Sequence, residues 1–264
     1  MKEFFDVTVL AILQGVAEFL PISSSGHLVI GQHVLGMEVP GIRLDVFLHM
    51  GTLMAIFAYY RRRISRIMSG LWAREKEPRR ESWQYAGKIF ISALPAVAVY
   101  LLFRKPIDGL FENAKMVGAL LMFTGAVLAG TRFLPRGERG INWLRALVMG
   151  CGQAIALLPG VSRSGMTLAS ARTGRVNPDA AAEFSFLMSA PLIMGAAFLE
   201  FVKSFTLADD SGEISWFLTL YGAALAAVVG YFSLALLVRT LRSRWFWLFG
   251  PYCIAAGLLT LCFC

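Results

Sequence analysis

The chain has 264 residues, of which 57% are hydrophobic and only 16% are charged. A soluble globular domain carries about 25% charged residues, so this composition argues against water as the main solvent. The net charge of +8 comes from clustered arginines, which is typical of cytoplasmic loops facing anionic lipid and argues against binding to nucleic acid.

The first apolar segment, residues 5–36, is predicted to form two short helices rather than one long helix. Pro21 and Gly26 flank a run of three serines near its centre, and this pattern ends one helix and starts another. Neither half is long enough to cross a bilayer core of about 30 Å, so we expect a re-entrant helix hairpin. Polar residues interrupt the apolar N-terminus and no A-x-A-like cleavage site follows, so we expect the segment to remain in the mature protein.

Six later stretches are predicted to be transmembrane helices: 44–60, 88–103, 116–133, 180–202, 215–238 and 245–263. Arginine-rich loops follow the first, third and fifth of these stretches, which places those loops in the cytoplasm by the positive-inside rule. The loop 203–214 carries mainly acidic charges, which suits the opposite side of the membrane.

The segment 143–176 is predicted to be a second re-entrant hairpin, broken between Pro159 and Gly165. The alternation of loops across the membrane then requires the first hairpin to enter from outside and the second from the cytoplasm. Hairpins that enter from opposite sides are typical of an inverted-topology repeat, in which two broken loops meet near the membrane midplane.

The two loops are also similar in sequence, because Leu20–Gly26 aligns with Leu158–Gly165 when one residue is inserted. We therefore predict an all-α polytopic membrane protein with six transmembrane helices and two re-entrant helix hairpins. It is expected to form a single membrane domain over 1–264, with one repeat at about 1–137 and the other at about 138–264.

Polar side chains in the first loop lie next to a predicted helix start. Gln14 and Glu18 are four residues apart, so a helix places both on one face. The serines can cap the following helix, whose free N–H groups would favour an anion such as phosphate. The candidate residues of this loop are Gln14, Glu18, Ser23, Ser24, Ser25, Gly26 and His27.

The second loop supplies another helix start, together with a guanidinium group. A charge at membrane depth costs about 2.5 to 3.5 kcal/mol on insertion scales, so Arg163 is expected to face a polar cavity or a counter-charge. Its planar fork suits phosphate oxygens. The candidate residues of this loop are Ser162, Arg163, Ser164, Gly165 and Thr167.

Together the two loops contain the chemical groups that phosphoryl transfer needs. These are anion-binding helix starts, hydroxyl, imidazole and carboxylate groups that can act as nucleophile or base, and an arginine to neutralise the transition state. Because they are expected inside a membrane, the sequence favours a phosphorylated substrate that is anchored by a lipid tail.

The segments QGVAEFLPISSSGHL and LPGVSRSGMT resemble the two signature regions of the bacitracin-resistance type undecaprenyl-diphosphate phosphatases, the BacA/UppP family. Residues 182–187 also match, and the resemblance covers essentially the whole chain. It implies a bacterial inner-membrane enzyme that hydrolyses undecaprenyl diphosphate to undecaprenyl phosphate and inorganic phosphate. Such an enzyme recycles the lipid carrier for peptidoglycan and other envelope polymers, and it confers bacitracin resistance. The resemblance also implies an active site open to the periplasmic face and a divalent cation, Mg²⁺ or Ca²⁺.

Carried over by position, the resemblance makes Ser24 and His27 the catalytic serine and histidine and Arg163 the phosphate-binding arginine. Glu18 would orient the base or hold the metal ion, although a structural pairing with Arg163 is the plainer alternative. Gln14 stands where many members have Glu, so it is a poor candidate for an essential base. Whether Ser24, His27 or a water molecule attacks stays open. The residues expected to bind the diphosphate are Gln14, Ser23, Ser25, Gly26, Ser162, Ser164, Gly165 and Thr167.

Four further polar residues have plainer interpretations. Asp45 and Glu183 occupy matching places in the two repeats and are secondary candidates, because each could simply bond to a neighbouring helix. His33 and His49 lie on apolar faces and are interpreted as packed core histidines rather than ligands.

The main alternative function is a transporter or flippase for a phosphorylated lipid, since broken helices in an inverted repeat are also typical of secondary transporters. A scaffold role is less favoured because it would leave several buried ionisable groups without a purpose. The sequence leaves the oligomeric state open, with a homodimer as one alternative.

Overall fold

The computed structural model describes residues 1–37, 42–111, 113–206, 214–243 and 245–263. Within these ranges the chain forms α-helices joined by turns, with one isolated bridge between Arg139 and Val176. In chain order the helices are α1 (Lys2–Ala17), α2 (Ser24–Leu35), α3 (Ile42–Tyr59), α4 (Arg61–Leu71), α5 (Lys76–Leu110), α6 (Ala114–Gly130), α7 (Trp143–Ile155), α8 (Arg163–Thr173), α9 (Pro178–Thr206), α10 (Trp216–Arg242) and α11 (Phe249–Phe263). The predicted all-α class is confirmed.

Among the described residues, five helical stretches are long and apolar enough to cross a membrane. They are Lys76–Leu110, Ala114–Phe133, Pro178–Phe198, Trp216–Arg242 and Phe246–Phe263. They coincide with five of the six predicted spans and give the chain a multi-pass architecture. The remaining prediction, 44–60, corresponds to α3, which is not among the five. Most of the acidic loop predicted at 203–214 lies outside the described residues.

Each segment predicted as a hairpin is a pair of short helices. The helices α1 and α2 have 16 and 12 residues, and α7 and α8 have 13 and 11. At 1.5 Å per residue the longest of them is about 24 Å long, which is less than the bilayer core. The breaks fall at 18–23 and 156–162, where the sequence places Pro and Ser. Entry of the two pairs from opposite leaflets, and the inverted repeat itself, stay predictions.

Small residues allow several helices to approach closely. A Cβ atom added to Gly250 of α11 would lie 2.7 Å from the carbonyl oxygen of Gly125 in α6. Similarly, a Cβ atom at Gly51 of α3 would lie 2.2 Å from the carbonyl oxygen of Ala223 in α10. Such contacts favour helix association inside a membrane. Lipid tails are as apolar as the side chains, so the hydrophobic effect does not drive helices together there and close packing does. The close pairs α6 with α11 and α3 with α10 are the packed helices beside which the short helices α1, α2 and α8 lie.

The long helix α5 is kinked near its C-terminal end. Phe103 has non-helical torsions, φ −125° and ψ 16°, three residues before Pro106. Proline cannot donate the helical hydrogen bond and its ring clashes with the preceding turn, which explains a kink at this place. Beyond the kink the final turns carry Arg104 and Asp108, which form an ion pair of 3.5 Å between Nε and Oδ2.

The two helix breaks contact each other directly. The Ser164 hydroxyl donates to the carbonyl oxygen of Leu20 over 3.3 Å. A Cβ atom at Gly26 would lie 3.1 Å from the Cα atom of Gly160, so the backbones of the two loops are nearly in contact there. Residues separated by more than half of the chain are therefore brought to one place, as expected from the sequence.

Candidate active site

A cavity of about 650 Å³ lies beside the junction of the two loops. Its wall combines polar residues from six helices and from both breaks. The polar residues that line it are Glu18, Ser24, Ser25, Asp45, His49, Gln153, Ser162, Arg163 and Ser189. Its apolar lining includes Leu192, Ile193 and Ala196 of α9. Arg104 and Asp108 of α5 also line it, and because both are well exposed they mark its mouth.

Glu18 is the central acid of this cavity and ends α1. The residue is only 7% exposed, so its carboxylate has little contact with solvent. One oxygen, Oε1, accepts a hydrogen bond of 2.6 Å from Nη2 of Arg163. The other, Oε2, accepts bonds from the Ser24 hydroxyl at 2.6 Å and from Nε2 of Gln14 at 3.2 Å. The buried charge is therefore compensated and its orientation is fixed.

Arg163 is the cation that faces this acid, and it begins α8. Besides its bond to Glu18, its Nη1 donates to the Ser189 hydroxyl over 2.8 Å. Its guanidinium carbon also lies 5.4 Å from the ring centroid of Phe186. Both Ser189 and Phe186 belong to α9. Phe186 lies within the matched segment 182–187, but neither residue was predicted to be in the site, because only the packing of α9 against α8 brings them to Arg163.

The two helix starts use the same capping contact. The Ser23 hydroxyl accepts from the Gly26 amide over 3.2 Å, and the Ser162 hydroxyl accepts from the Gly165 amide over 3.1 Å. Serine at the cap position satisfies one of the amides that a helix start leaves without a partner. The first helical residues are therefore Ser24 in one loop and Arg163 in the other. Both of them line the cavity.

The predicted site residues fall into two groups. Those on the cavity wall are Glu18, Ser24, Ser25, Ser162, Arg163 and the secondary candidate Asp45. Those elsewhere are Gln14, Ser23, Gly26, His27, Ser164, Gly165, Thr167 and Glu183. Several residues of the second group form the hydrogen bonds of the helix caps or join the two loops, namely Ser23, Gly26, Ser164 and Gly165. The Thr167 hydroxyl is fully buried and lies 2.6 Å from that of Ser185.

His27 does not line the cavity. Its Nδ1 lies 2.9 Å from the carbonyl oxygen of Ser23, so this nitrogen is the donor. Its Nε2 lies 2.8 Å from the hydroxyl of Tyr252 in α11, and the two rings are stacked at 5.7 Å. Both ring nitrogens therefore have protein partners. A catalytic role for His27 stays a prediction, and this position does not add support to it.

His49 is the histidine that does line the cavity. Its Nδ1 donates to the carbonyl oxygen of Asp45 over 2.8 Å, and its Nε2 lies 3.9 Å from Oε2 of Glu18. The predicted core position is therefore wrong for His49. It is also wrong for His33, which is exposed in the last turn of α2. That neither residue acts as a ligand stays a prediction. Apolar neighbours in sequence did not reveal which face of each helix meets the cavity or the outside.

Glu183 lies away from the cavity and joins three helices. Its Oε1 accepts from Nε of Arg63 in α4 at 2.8 Å and from the Tyr85 hydroxyl in α5 at 3.2 Å. Asp45, its counterpart in the first half, instead lines the cavity and accepts from Nε2 of Gln32 at 3.3 Å. The plainer interpretation, a bond to neighbouring helices, therefore fits Glu183.

The described residues do not provide an obvious metal site. Among them no group of three or more His, Cys, Asp and Glu side chains lies together as a metal ion would need. Both carboxylate oxygens of Glu18 already accept short bonds from Arg163 and Ser24. These donors do not fit a preformed site at Glu18. The divalent cation stays a prediction that rests on the resemblance.

Comparison with known proteins adds the following. Residues 7–259 match the protein family described as "Bacitracin resistance protein BacA". A relative from Desulfosudis oleivorans, named undecaprenyl-diphosphatase, is 39% identical, and the alignment covers 96% of each chain. A relative of the same name from Rhodopirellula baltica is 38% identical over 98% of this chain and 97% of its own length. Another, from Halothermothrix orenii, is 35% identical over 97% of this chain and 96% of its own.

Proposed function

The chain belongs to the bacitracin resistance protein BacA family, and on this premise we propose that it hydrolyses undecaprenyl diphosphate to undecaprenyl phosphate and inorganic phosphate. This activity would recycle the lipid carrier for peptidoglycan and other envelope polymers, and its excess would confer bacitracin resistance. The match covers nearly the whole chain, including both broken loops.

The observation that carries the proposal is the contact between Glu18, Ser24 and Arg163 in the cavity wall. It joins a carboxylate, a hydroxyl and a guanidinium through two bonds of 2.6 Å at the start of two helices. The amides of a helix start have no acceptor within the helix, so both starts can also bind phosphate oxygens. A buried acid, an aligned hydroxyl and a cation are what hydrolysis of a diphosphate requires.

In the reaction that we propose, the Ser24 hydroxyl attacks. Its proton already points to Oε2 of Glu18, while Arg163 holds the opposite oxygen of this carboxylate. As the Ser24 oxygen bonds to the terminal phosphorus, Glu18 accepts the proton. The bond from that phosphorus to the bridging oxygen breaks, and undecaprenyl phosphate leaves. The proton on Glu18 passes to the departing bridging oxygen, which restores the carboxylate. Water then attacks the phosphorus of the phosphoserine while Glu18 accepts a proton from it, the bond from phosphorus to the Ser24 oxygen breaks, and Glu18 returns the proton to that oxygen as inorganic phosphate leaves.

Arg163 and the two helix starts would stabilise the charge that develops on the phosphoryl oxygens. The guanidinium is held by Ser189 as well as by Glu18, so its position changes little on binding. Fixed donors of this kind avoid reorganisation during the reaction. The prenyl chain would run along Leu192, Ile193 and Ala196 of α9, whose apolar side chains continue the cavity wall.

The position of the mouth supports an active site that opens to the periplasmic face of the inner membrane. Helix α5 has 35 residues and is therefore about 52 Å long, more than a bilayer core. It begins among the arginines that the positive-inside rule places in the cytoplasm, and it ends at Arg104 and Asp108 beside the mouth. The mouth and the arginines therefore lie toward opposite ends of the same helix.

The alternative of a transporter or flippase is not favoured. Each of the three relatives described above is named as a diphosphatase, and each aligns with nearly the whole of this chain. The close bond between Ser24 and Glu18 also favours chemistry, because binding alone does not need an oriented hydroxyl.

The proposal is tested by measuring phosphate release from undecaprenyl diphosphate by the detergent-purified protein. We expect the parent protein to release one phosphate per substrate and Arg163→Ala to release almost none. Parallel assays of His27→Ala decide whether the predicted role of that residue holds despite its distance from the cavity wall. Assays with and without a chelator, followed by addition of Mg²⁺ or Ca²⁺, test the predicted cation.

An absence of phosphate release by the folded parent protein would contradict the proposal. Transport of the labelled lipid diphosphate across a vesicle membrane, without cleavage, would then favour the alternative function.

A further inference from the structure

Gln153 is a buried polar residue to which the mechanism above gives no role. It lies in the last turns of α7, is 4% exposed, and forms part of the wall of the same cavity as Arg163 and Ser162. Neither its Nε2 nor its Oε1 has a hydrogen-bond partner among the described residues, and neither atom is exposed to solvent.

Such an amide costs stability. A buried donor and a buried acceptor without partners keep the full cost of losing water, and native proteins contain few of them. A leucine or methionine at this position would fill the same space without that cost. The presence of glutamine therefore indicates a partner that binds and leaves.

The position of Gln153 is fixed by its neighbours in α7. A Cβ atom at Gly150 would lie 2.3 Å from the carbonyl oxygen of Ser92, so α7 packs closely on α5. A Cβ atom at Gly152 would lie 2.6 Å from the Ser170 hydroxyl of α8. The backbone of this turn is held on both sides, and only the torsions of the glutamine side chain are free to aim its amide.

Gln14, near the first loop, is a buried glutamine whose side-chain amide does have a partner, because an acid lies nearby. Its Nε2 donates to Glu18, which follows one helical turn later. In the second loop Ala156 precedes Pro159 by the same three residues that separate Glu18 from Pro21. Gln153 stands three residues before Ala156 and four before Leu157, and neither of these is an acid, so its amide has no neighbouring carboxylate one turn later and remains available for a ligand.

We propose that Gln153 binds the diphosphate of the substrate, with Nε2 donating to a phosphate oxygen once the side chain turns toward the cavity. This inference rests on the proposed function, since it assigns a further substrate-binding residue to the same site. The partner is an acceptor because the neighbouring Arg163 and the helix starts already favour an anion there.

The experiment compares detergent-purified parent protein with Gln153→Met, Gln153→Glu and, as a matched control, Gln84→Met. Gln84 is a partly buried glutamine of α5 that does not line the cavity. Thermal unfolding is measured with and without farnesyl methylenediphosphonate, a diphosphate analogue that cannot be hydrolysed. Phosphate release from undecaprenyl diphosphate is measured in parallel, with kcat and KM determined separately.

We expect Gln153→Met to unfold at or above the temperature of the parent without ligand, because it removes an amide that has no partner. It should lose most of the protection given by the analogue, and its KM should rise by about 10- to 100-fold with a smaller change in kcat. Gln153→Glu should be worse still, since a carboxylate repels phosphate. Gln84→Met should keep the protection and the KM of the parent.

Unchanged protection and KM in Gln153→Met would overturn the inference, and so would a lower unfolding temperature in that variant with normal KM. Activity of Gln153→Glu above that of Gln153→Met would also overturn it, because it would show that the amide oxygen, not the nitrogen, matters. If the parent protein released no phosphate, the proposed hydrolysis would fail, but loss of analogue protection in Gln153→Met would still support the binding role.

Discussion

In both broken loops a serine caps the helix that follows, but the loops differ in length and in chemistry. In the first loop α2 begins three residues after Pro21, and in the second α8 begins four residues after Pro159. The shorter loop forces its cap residue, Ser23, into the left-handed region with φ 71°. The longer loop places its positive φ, 88°, at Gly160 instead, where a side chain would collide with the carbonyl oxygen of Val117.

This difference separates two tasks within one site. In the proposed reaction the first loop contributes an acid and a hydroxyl that react, whereas the second contributes a cation that binds. The hydroxyl of Ser24 and the guanidinium of Arg163 each belong to the first residue of a helix, where nearby amides remain without helical partners. If this division is correct, substitutions in the two loops should differ in kind as well as in size.

The largest effect is expected from Arg163→Ala. Loss of the guanidinium removes charge stabilisation at the transition state and leaves Glu18 buried without its cation, so kcat/KM should fall by about 10³- to 10⁵-fold. Phosphate release under saturating and limiting substrate measures this. Arg242→Ala, which removes an exposed ion pair with Asp179, is the matched control and should stay near the parent. A fall of less than tenfold for Arg163→Ala would contradict the assignment.

Glu18→Gln is expected to have the next largest effect. The amide keeps the shape of the side chain but cannot accept the Ser24 proton, so kcat should fall by about 10²- to 10⁴-fold. Glu183→Gln is the informative comparison, because that acid bonds to Arg63 outside the cavity. It should lower the unfolding temperature while phosphate release continues. Equal loss of activity in the two variants would show that the cavity is not the only place where an acid is needed.

Neighbouring serines of the first loop should respond differently to alanine. Ser24→Ala removes the proposed nucleophile, so kcat should fall by at least about 100-fold while the unfolding temperature changes little. Ser23→Ala removes the cap of α2, which should cost about 0.5 to 2 kcal/mol of stability and leave most of the activity. Urea or thermal unfolding beside single-turnover assays separates the two results. Ser24→Ala with full activity would favour direct attack by water.

The smallest effect on activity is expected from Thr124→Val in α6. The Thr124 hydroxyl donates to the carbonyl oxygen of Gly160 at 3.0 Å and accepts from the Ser162 amide at 3.1 Å. Valine would leave two buried backbone groups without partners and cost about 1 to 3 kcal/mol. Thr260→Val is the control, because its hydroxyl donates to the carbonyl oxygen of Ala256 within α11. We expect a lower unfolding temperature for Thr124→Val alone, with activity close to the parent at low temperature.

Much of this arrangement could be predicted because local signals set it. Proline, serine and glycine act on the backbone of adjacent residues, so the two helix breaks, their caps and the approximate spans follow from short stretches of sequence. The cost of a charge inside a membrane likewise predicts a partner for Arg163 from the sequence alone. The partner predicted as an alternative, Glu18, is the one observed.

Other features depended on which helix faces which, and no local pattern encodes that. The sequence favoured His27 over His49, but the packing of α3 against α1 brings His49 near Glu18, while α11 places Tyr252 on His27. Ser189 and Gln153 carry no motif and were missed for the same reason.

The sequence by itself determined a membrane protein of this family with two interrupted helical segments, because composition, hydropathy and helix-breaking residues act locally. Only the tertiary structure decided which polar groups share one cavity. The Glu18 carboxylate and the Arg163 guanidinium are 145 residues apart and meet at 2.6 Å. That contact depends on the rotation and closeness of helices that small residues allow, which is a property of packing rather than of any single segment.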